Sequence, residues 1–253
     1  MPLVEIIGRE TTPPGPLATA MEFARRIGKR PVLVRNREGF LVNRVFLPYL
    51  KEAFWLLEEG AIGLEIDAAM VEFGFPMGPL AVADLAGLDI IAGADRVLGQ
   101  AFPRHGPVPA VLLRLVEAGH LGQKTGSGVY QYAPGDTTPH PSGVAEQVVL
   151  GVQQELGRTP LCPGREDLVR RLVFRMVAEA FRVVEEGVAV SESDVDLATV
   201  LGVGFPGVRG GVMRYARDLG LGQVLAELED LTARYGPRYE PCDCLRPELL
   251  KKV

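Results

Sequence analysis

The chain is poor in the residues that staple small proteins or hold metals. It has three cysteines, Cys162, Cys242 and Cys244, and three histidines, His105, His120 and His140. So few thiols, odd in number, do not suggest a disulfide framework, and a reducing, cytoplasmic setting is expected. Cys242-Asp243-Cys244 would be half a metal site, but a zinc ion takes about four ligands and the histidines lack ligand spacing, so no metal is expected. Basic residues are dispersed rather than clustered and the net charge is −5, which argues against a nucleic-acid partner. No stretch of about 18 uncharged apolar residues exists, so no membrane span is expected. The opening Met-Pro-Leu-Val-Glu-Ile-Ile has neither a basic segment nor a long apolar one, so it does not read as a signal peptide.

What is present is an ordinary globular balance, 47% hydrophobic and 23% charged, over 253 residues. That length suits one large domain or two smaller ones. Residues 1–37 read as strand, helix, strand: the apolar run Leu3 to Ile7, helical spacing from Pro14 to Ile27, and the run Pro31 to Val34. One such unit is too small for a sheet of its own, so the chain is expected to start in the middle of a larger architecture. From Phe40 the pattern turns helical. Val42, Val45, Phe46, Tyr49, Leu50, Ala53, Leu56 and Leu57 make one broad apolar face, with Gly60 as its stop and Pro48 as an expected kink.

The most informative feature is an internal repeat. Glu52-Ala53-Phe54 recurs as Glu179-Ala180-Phe181 and Glu58-Glu59-Gly60 as Glu185-Glu186-Gly187, both 127 positions on. The same shift turns the apolar helix face into Val169, Leu172, Val173, Met176, Val177, Ala180, Val183 and Val184. Gly74-Phe75-Pro76 then recurs as Gly204-Phe205-Pro206. Between the copies, Pro134 to Pro141 is a loop by composition, and a helix is expected near Ala145 to Leu156. The expected fold is mainly α: two tandem homologous helical domains packed as a pseudo-dimer, with residues near 40–60 and 167–187 as their inner helices, preceded by a β-α-β remnant. The expected domains are 1–37, 38–138 and 139–253, the last with its linker.

Three stretches in order resemble 3-hydroxyacyl-CoA dehydrogenases. Asn36-Arg37-Glu38-Gly39-Phe40-Leu41-Val42-Asn43-Arg44, with Pro48 after it, looks like the family signature. Gly74-Phe75-Pro76-Met77-Gly78-Pro79 resembles a loop of its helical domain, and Leu121 to Tyr132 resembles that domain's closing motif. Gly204 to Tyr215 resembles the last domain of the multifunctional fatty-acid oxidation enzymes. The resemblance implies NAD-linked oxidation of 3-hydroxyacyl-CoA to 3-oxoacyl-CoA in fatty acid β-oxidation. In the family a Rossmann domain binds NAD, and most of that domain has no counterpart here. A separate Rossmann domain, or homo-oligomerisation through residues 1–37, is the expected partnership; the alternative is a non-catalytic assembly or acyl-CoA-binding module.

Such an oxidation needs a base for the hydroxyl proton, a hydride acceptor and polar groups on the oxygen. By resemblance Glu5 is the glutamate that orients a histidine base, although no histidine precedes His105; on its own it reads as an acidic residue at a strand end. Asn43 would face the substrate oxygen, against the alternative of a helix-start residue bonding local backbone. Pro76, Met77, Gly78 and Pro79 would line the acyl channel, or simply connect two helices. The shift of 127 places Arg170 at the position of Asn43, so the second copy reads as structural. Gly202-Val203-Gly204-Phe205-Pro206-Gly207 spells a dinucleotide pattern but follows no strand, and Gly122-Gln123-Lys124-Thr125 lacks phosphate-loop spacing.

Overall fold

The computed structural model describes residues 1–157, 160 and 163–246, so Cys162 lies outside the described residues. Eleven α-helices and two two-stranded sheets are present among them, the mainly helical composition that the sequence pattern implies. The chain divides into two compact units, Met1–Phe46 with Phe174–Val253, and Leu47–Val173. The division falls inside two long helices, α2 (Val42–Glu58) and α8 (Arg165–Glu185).

The first unit opens with β1 (Leu3–Gly8), α1 (Pro14–Arg26) and β2 (Arg30–Arg35). The strands are parallel, in register from Leu3 opposite Arg30 to Gly8 opposite Arg35, and α1 is the crossover that parallel strands require. The outer edge of β2 is met by the segment after α8: Val34 bridges Ala189, and Arg35 N donates to Val188 O at 2.9 Å. Among the described residues no strand pairs with the other edge of β1. The unit is completed by the first turn of α2, the C-terminal half of α8, α9 (Glu192–Val203), α10 (Val212–Leu219) and α11 (Leu221–Tyr235). Val177, Val183, Val195, Ala198, Val224 and Leu228 are buried in it.

The second unit holds the rest of α2, then α3 (Gly63–Phe73), α4 (Pro79–Ala86), α5 (Leu88–Ala101), α6 (Ala110–Glu117), the short hairpin β3 (Tyr130–Gln131) with β4 (His140–Pro141), α7 (Gly143–Glu155) and the start of α8. The helix expected between the copies is α7, begun by the Ser142 side chain, which accepts from Ala145 N. Leu50, Phe54, Leu57, Ile66, Met70, Leu80, Leu88 and Val111 are buried here. α2 runs on through Pro48.

The order of elements repeats. α2, α3, α4 and α5 are followed by a 3-10 turn at Pro103–His105; α8, α9, α10 and α11 are followed by one at Pro237–Tyr239. A capping device repeats with them. In the second unit the Asp67 carboxylate of α3 accepts from Leu80 N and Ala81 N, both at 2.9 Å, and so holds the N-terminus of α4. In the first unit Asp196 of α9 accepts from Met213 N at 2.7 Å and Arg214 N at 3.2 Å at the start of α10. A carboxylate there satisfies orphan N–H groups and complements the positive end of the helix dipole.

Charge pairing repeats as well. In the first unit buried Arg44 of α2 donates from Nε to Glu179 Oε2 at 2.8 Å and from Nη2 to Glu186 Oε1 at 2.9 Å. In the second unit buried Arg171 of α8 donates from Nε to Glu52 Oε1 at 3.0 Å and from Nη2 to Glu59 Oε1 at 3.2 Å. Every member of one cluster is 127 positions from its counterpart in the other. The arginine of each copy therefore sits on the two glutamates of the other copy, the reciprocal pattern of an isologous contact.

Candidate active site

The start of α2 is delivered by a tight turn. Gly39 and Phe40 have φ of 76° and 48°, and Phe40 is the only non-glycine residue in this left-handed region among the described residues. A bulky residue there costs conformational energy, and such positions cluster where a segment must be held in one place. The turn is held from the strand side. Glu5, on β1, accepts from Leu41 N at 2.8 Å and Val42 N at 3.2 Å, both through Oε1. Its carboxylate caps α2 from another element, 36 residues away in sequence. Burial raises the Glu5 pKa from the usual carboxylate range, and the two N–H donors offset that in part. Oε2 takes no hydrogen bond from the described residues.

Glu5 and Asn43 are thus brought to one end of one helix. Asn43 lies a single residue beyond the second N–H that Glu5 holds, in the first turn of α2, and is exposed. Its side chain makes no hydrogen bond among the described residues. The position 127 residues on, Arg170, lies 4.0 Å from Asp167 in an i,i+3 pair on α8.

The Pro76 to Pro79 stretch connects α3 to α4. Pro79 is the first residue of α4 and is buried, and Gly78 packs so tightly that a Cβ there would sit 2.2 Å from Asp67 Cβ. Both are packed into the helix connection. Pro76 is exposed and Met77 half-buried, so both remain open to a ligand. None of the four lines an apolar cavity of the second unit, about 480 Å³, which is walled by residues including Leu57, Leu64, Val111, Leu115 and Leu150.

Sequence reasoning missed a buried polar network behind that connection. Asp84 accepts from Val129 N, Tyr130 N and the Tyr132 hydroxyl, each at 2.9 Å. Asp67 also accepts from the Tyr130 hydroxyl at 3.0 Å. Burial pushes both aspartates up to about 6 despite these donors. The recurrence of Asp67 as Asp196, one helix after the matched long helices, was the signal available.

The β-α-β unit does not form a cradle for a dinucleotide. α1 is preceded by Pro13 and opens Pro14-Gly15-Pro16, so three of its leading positions have no N–H to offer a pyrophosphate. The Gly202 to Gly207 pattern lies at the C-terminal end of α9 and the 3-10 turn after it. Lys124 is paired with Asp89.

Comparison with known proteins agrees with the architecture. Residues 39–132 and 168–252 match the family described as 3-hydroxyacyl-CoA dehydrogenase, C-terminal domain, and residues 1–37 match 3-hydroxyacyl-CoA dehydrogenase, NAD binding domain. The chain is 36% identical over 254 residues to the fatty acid oxidation complex subunit alpha of Shewanella sp. (strain MR-4), covering 100% of this chain and 35% of that protein. With the protein of the same description from Shewanella loihica it shares 37% identity over 246 residues, covering 97% and 34%. The chain therefore spans about a third of the length of these curated relatives. The crystal structure of 3-hydroxybutyryl-CoA dehydrogenase from Escherichia coli K12 superposes with a TM-score of 0.79 at 29% identity, covering 99% of this chain and 68% of that one. That of the dehydrogenase part of multifunctional enzyme 1 from C. elegans gives 0.70 at 29% identity, covering 97% and 56%. With both helical copies and the end of the NAD-binding domain accounted for, the chain belongs to the 3-hydroxyacyl-CoA dehydrogenase family.

Proposed function

We propose that this chain is the substrate-side part of an NAD-linked 3-hydroxyacyl-CoA dehydrogenase acting in the cytoplasm, oxidising 3-hydroxyacyl-CoA to 3-oxoacyl-CoA in fatty acid β-oxidation. The observation that carries this reading is the Glu5–α2 contact: it holds Asn43, with an uncommitted amide, in the first turn of a helix whose start bears the family signature. An amide can hydrogen-bond a hydroxyl and then a carbonyl oxygen without adding charge. Glu5 Oε2 is available to orient an imidazole N–H and to favour its charged form after proton abstraction. Met77 and Pro76 would meet the acyl part. NAD, the family's hydride acceptor, would be held by a Rossmann domain outside the residues described, and the open edge of β1 suits a docking strand. Evolutionary domains at 1–37, 38–138 and 139–253 accord with the two helical matches.

The test is NADH formation from 3-hydroxyacyl-CoA, with the chain alone and with a Rossmann domain of this family supplied in trans. Activity only in the mixture, lost in Asn43→Ala, is the expected result. Acyl-CoA binding without turnover in the mixture would favour a binding or assembly module instead.

A further inference from the structure

Cys242 and Cys244 are brought to one side of the chain by the 3-10 turn Asp243–Leu245, in which Leu245 N donates to Cys242 O at 3.2 Å and Arg246 N to Asp243 O at 2.9 Å. The two sulfurs are 2.8 Å apart. A third group arrives from a different element: Glu185, the last residue of α8, accepts from Cys244 N through Oε1 at 2.7 Å. One ligand atom from each of Glu185, Cys242 and Cys244 lies within 4.8 Å of the other two. Cys242 is buried, Cys244 half-buried and Glu185 exposed, so the cluster has a packed base and an open mouth. All of this lies within the first unit. The sequence counted two ligands here; the fold supplies a third, 57 positions before Cys242.

We propose that Glu185, Cys242 and Cys244 form a binding site for a thiophilic divalent cation of the zinc type, with its fourth position open to water. Two thiolates and a carboxylate are a donor set that suits a borderline-soft d10 ion, and they converge without help from a distant histidine. Binding replaces the thiol protons: the cation takes one lone pair from each sulfur, and two protons leave to solvent. Oxidation to a disulfide is the competing fate of such a pair. It does not draw on Glu185, which has a ligand atom within 4.8 Å of both sulfurs and is what the cation would add. The inference does not depend on the proposed oxidation.

The test uses the full chain, reduced and freed of metal by chelation, titrated with Cd²⁺ and followed by thiolate-to-metal charge-transfer absorption, with Zn²⁺ competition for affinity. One Cd²⁺ per chain, with absorption for two thiolates, is expected. Cys244→Ser should weaken binding at least about a hundredfold and halve the absorption, and Glu185→Gln should weaken it about tenfold with the absorption unchanged, since losing a ligand costs no less than losing an outer-shell partner. Cys162→Ser should bind as the parent chain does. Circular dichroism checks that each variant is folded; Glu185→Gln, at an exposed position, keeps the test decisive where a cysteine variant misfolds. No thiolate absorption, binding unchanged in folded Cys244→Ser, or an intramolecular disulfide formed in place of Cd²⁺ uptake would each overturn the proposal.

Discussion

Arg44 and Arg171, 127 residues apart in one chain, do the same work for opposite copies: each is buried and each holds two glutamates of the copy to which it does not belong. Removing one side of a buried ion pair leaves a charge without its counterion in a low-dielectric surrounding, at about 3–5 kcal/mol. Arg44→Met and Arg171→Met should each lower the unfolding free energy by about that amount, read from urea denaturation. A loss below about 1 kcal/mol for either would mean that its glutamates are held by other groups.

Asn43→Ala should leave thermal stability close to that of the parent chain, since the side chain is exposed and unbonded. With a Rossmann domain supplied, turnover should fall about ten- to a hundredfold, the equivalent of one substrate hydrogen bond worth about 1–3 kcal/mol. Arg170→Ala should leave turnover near that of the parent. Equal losses in both variants would give the second copy a catalytic part.

Glu5 should behave differently from Asn43. Glu5→Gln keeps a carbonyl oxygen for Leu41 N and Val42 N, so the loss of stability should stay below about 1 kcal/mol. Glu5→Ala removes the cap and should cost about 1–2 kcal/mol. If Glu5 also orients the base, Glu5→Gln should depress turnover in the reconstituted enzyme despite its near-normal stability. Chemical denaturation and steady-state rates on the same preparations separate the two roles.

Asp67 and Asp84 give the fold a pH signature. Burial raises both to about 6, above the unfolded value of 3.8, so the native chain holds more protons than the unfolded one between those values. Their stabilising contribution is complete below about pH 4 and is lost as pH rises through about 6. The urea midpoint should therefore fall between about pH 4 and pH 6, and the fall should shrink in Asp84→Ala. That variant should also be less stable throughout, by about 3 kcal/mol, because it leaves Val129 N, Tyr130 N and the Tyr132 hydroxyl without their acceptor. A midpoint that rises over this window would refute the assignment.

Helices and their order were legible because periodicity is a local property. The spacing of Val42 to Leu57 and the stop at Gly60 lead directly to α2, and the shift of 127 leads to α8. The pairing of β1 with β2 was legible because the β-α-β pattern leaves few alternatives. What a side chain does across the fold was not. Glu5 is separated from the N–H groups it caps by 36 residues, and Glu185 lies 59 residues before the N–H that meets it. No spacing rule connects such positions. Gly78 illustrates a second limit: the motif left acyl-channel lining and helix connection both open, and it did not show that the lack of a Cβ lets Asp67 reach the start of α4. Gly78→Ala is accordingly expected to destabilise the second unit, a result that thermal melting would show.

The exchanged arginines also bear on how the two halves of the chain could drift apart. In an association of two identical chains, any substitution at the contact is made twice at once, and a damaging one is felt on both sides. Here each side is encoded separately, so a change at one position tests only half of the contact. That freedom accounts for a chain in which Arg44, Glu52 and Glu59 keep their counterparts Arg171, Glu179 and Glu186, while Asn43, next to one of those arginines, is answered by Arg170. Duplication preserved the contact and released one copy's neighbouring position to change alone.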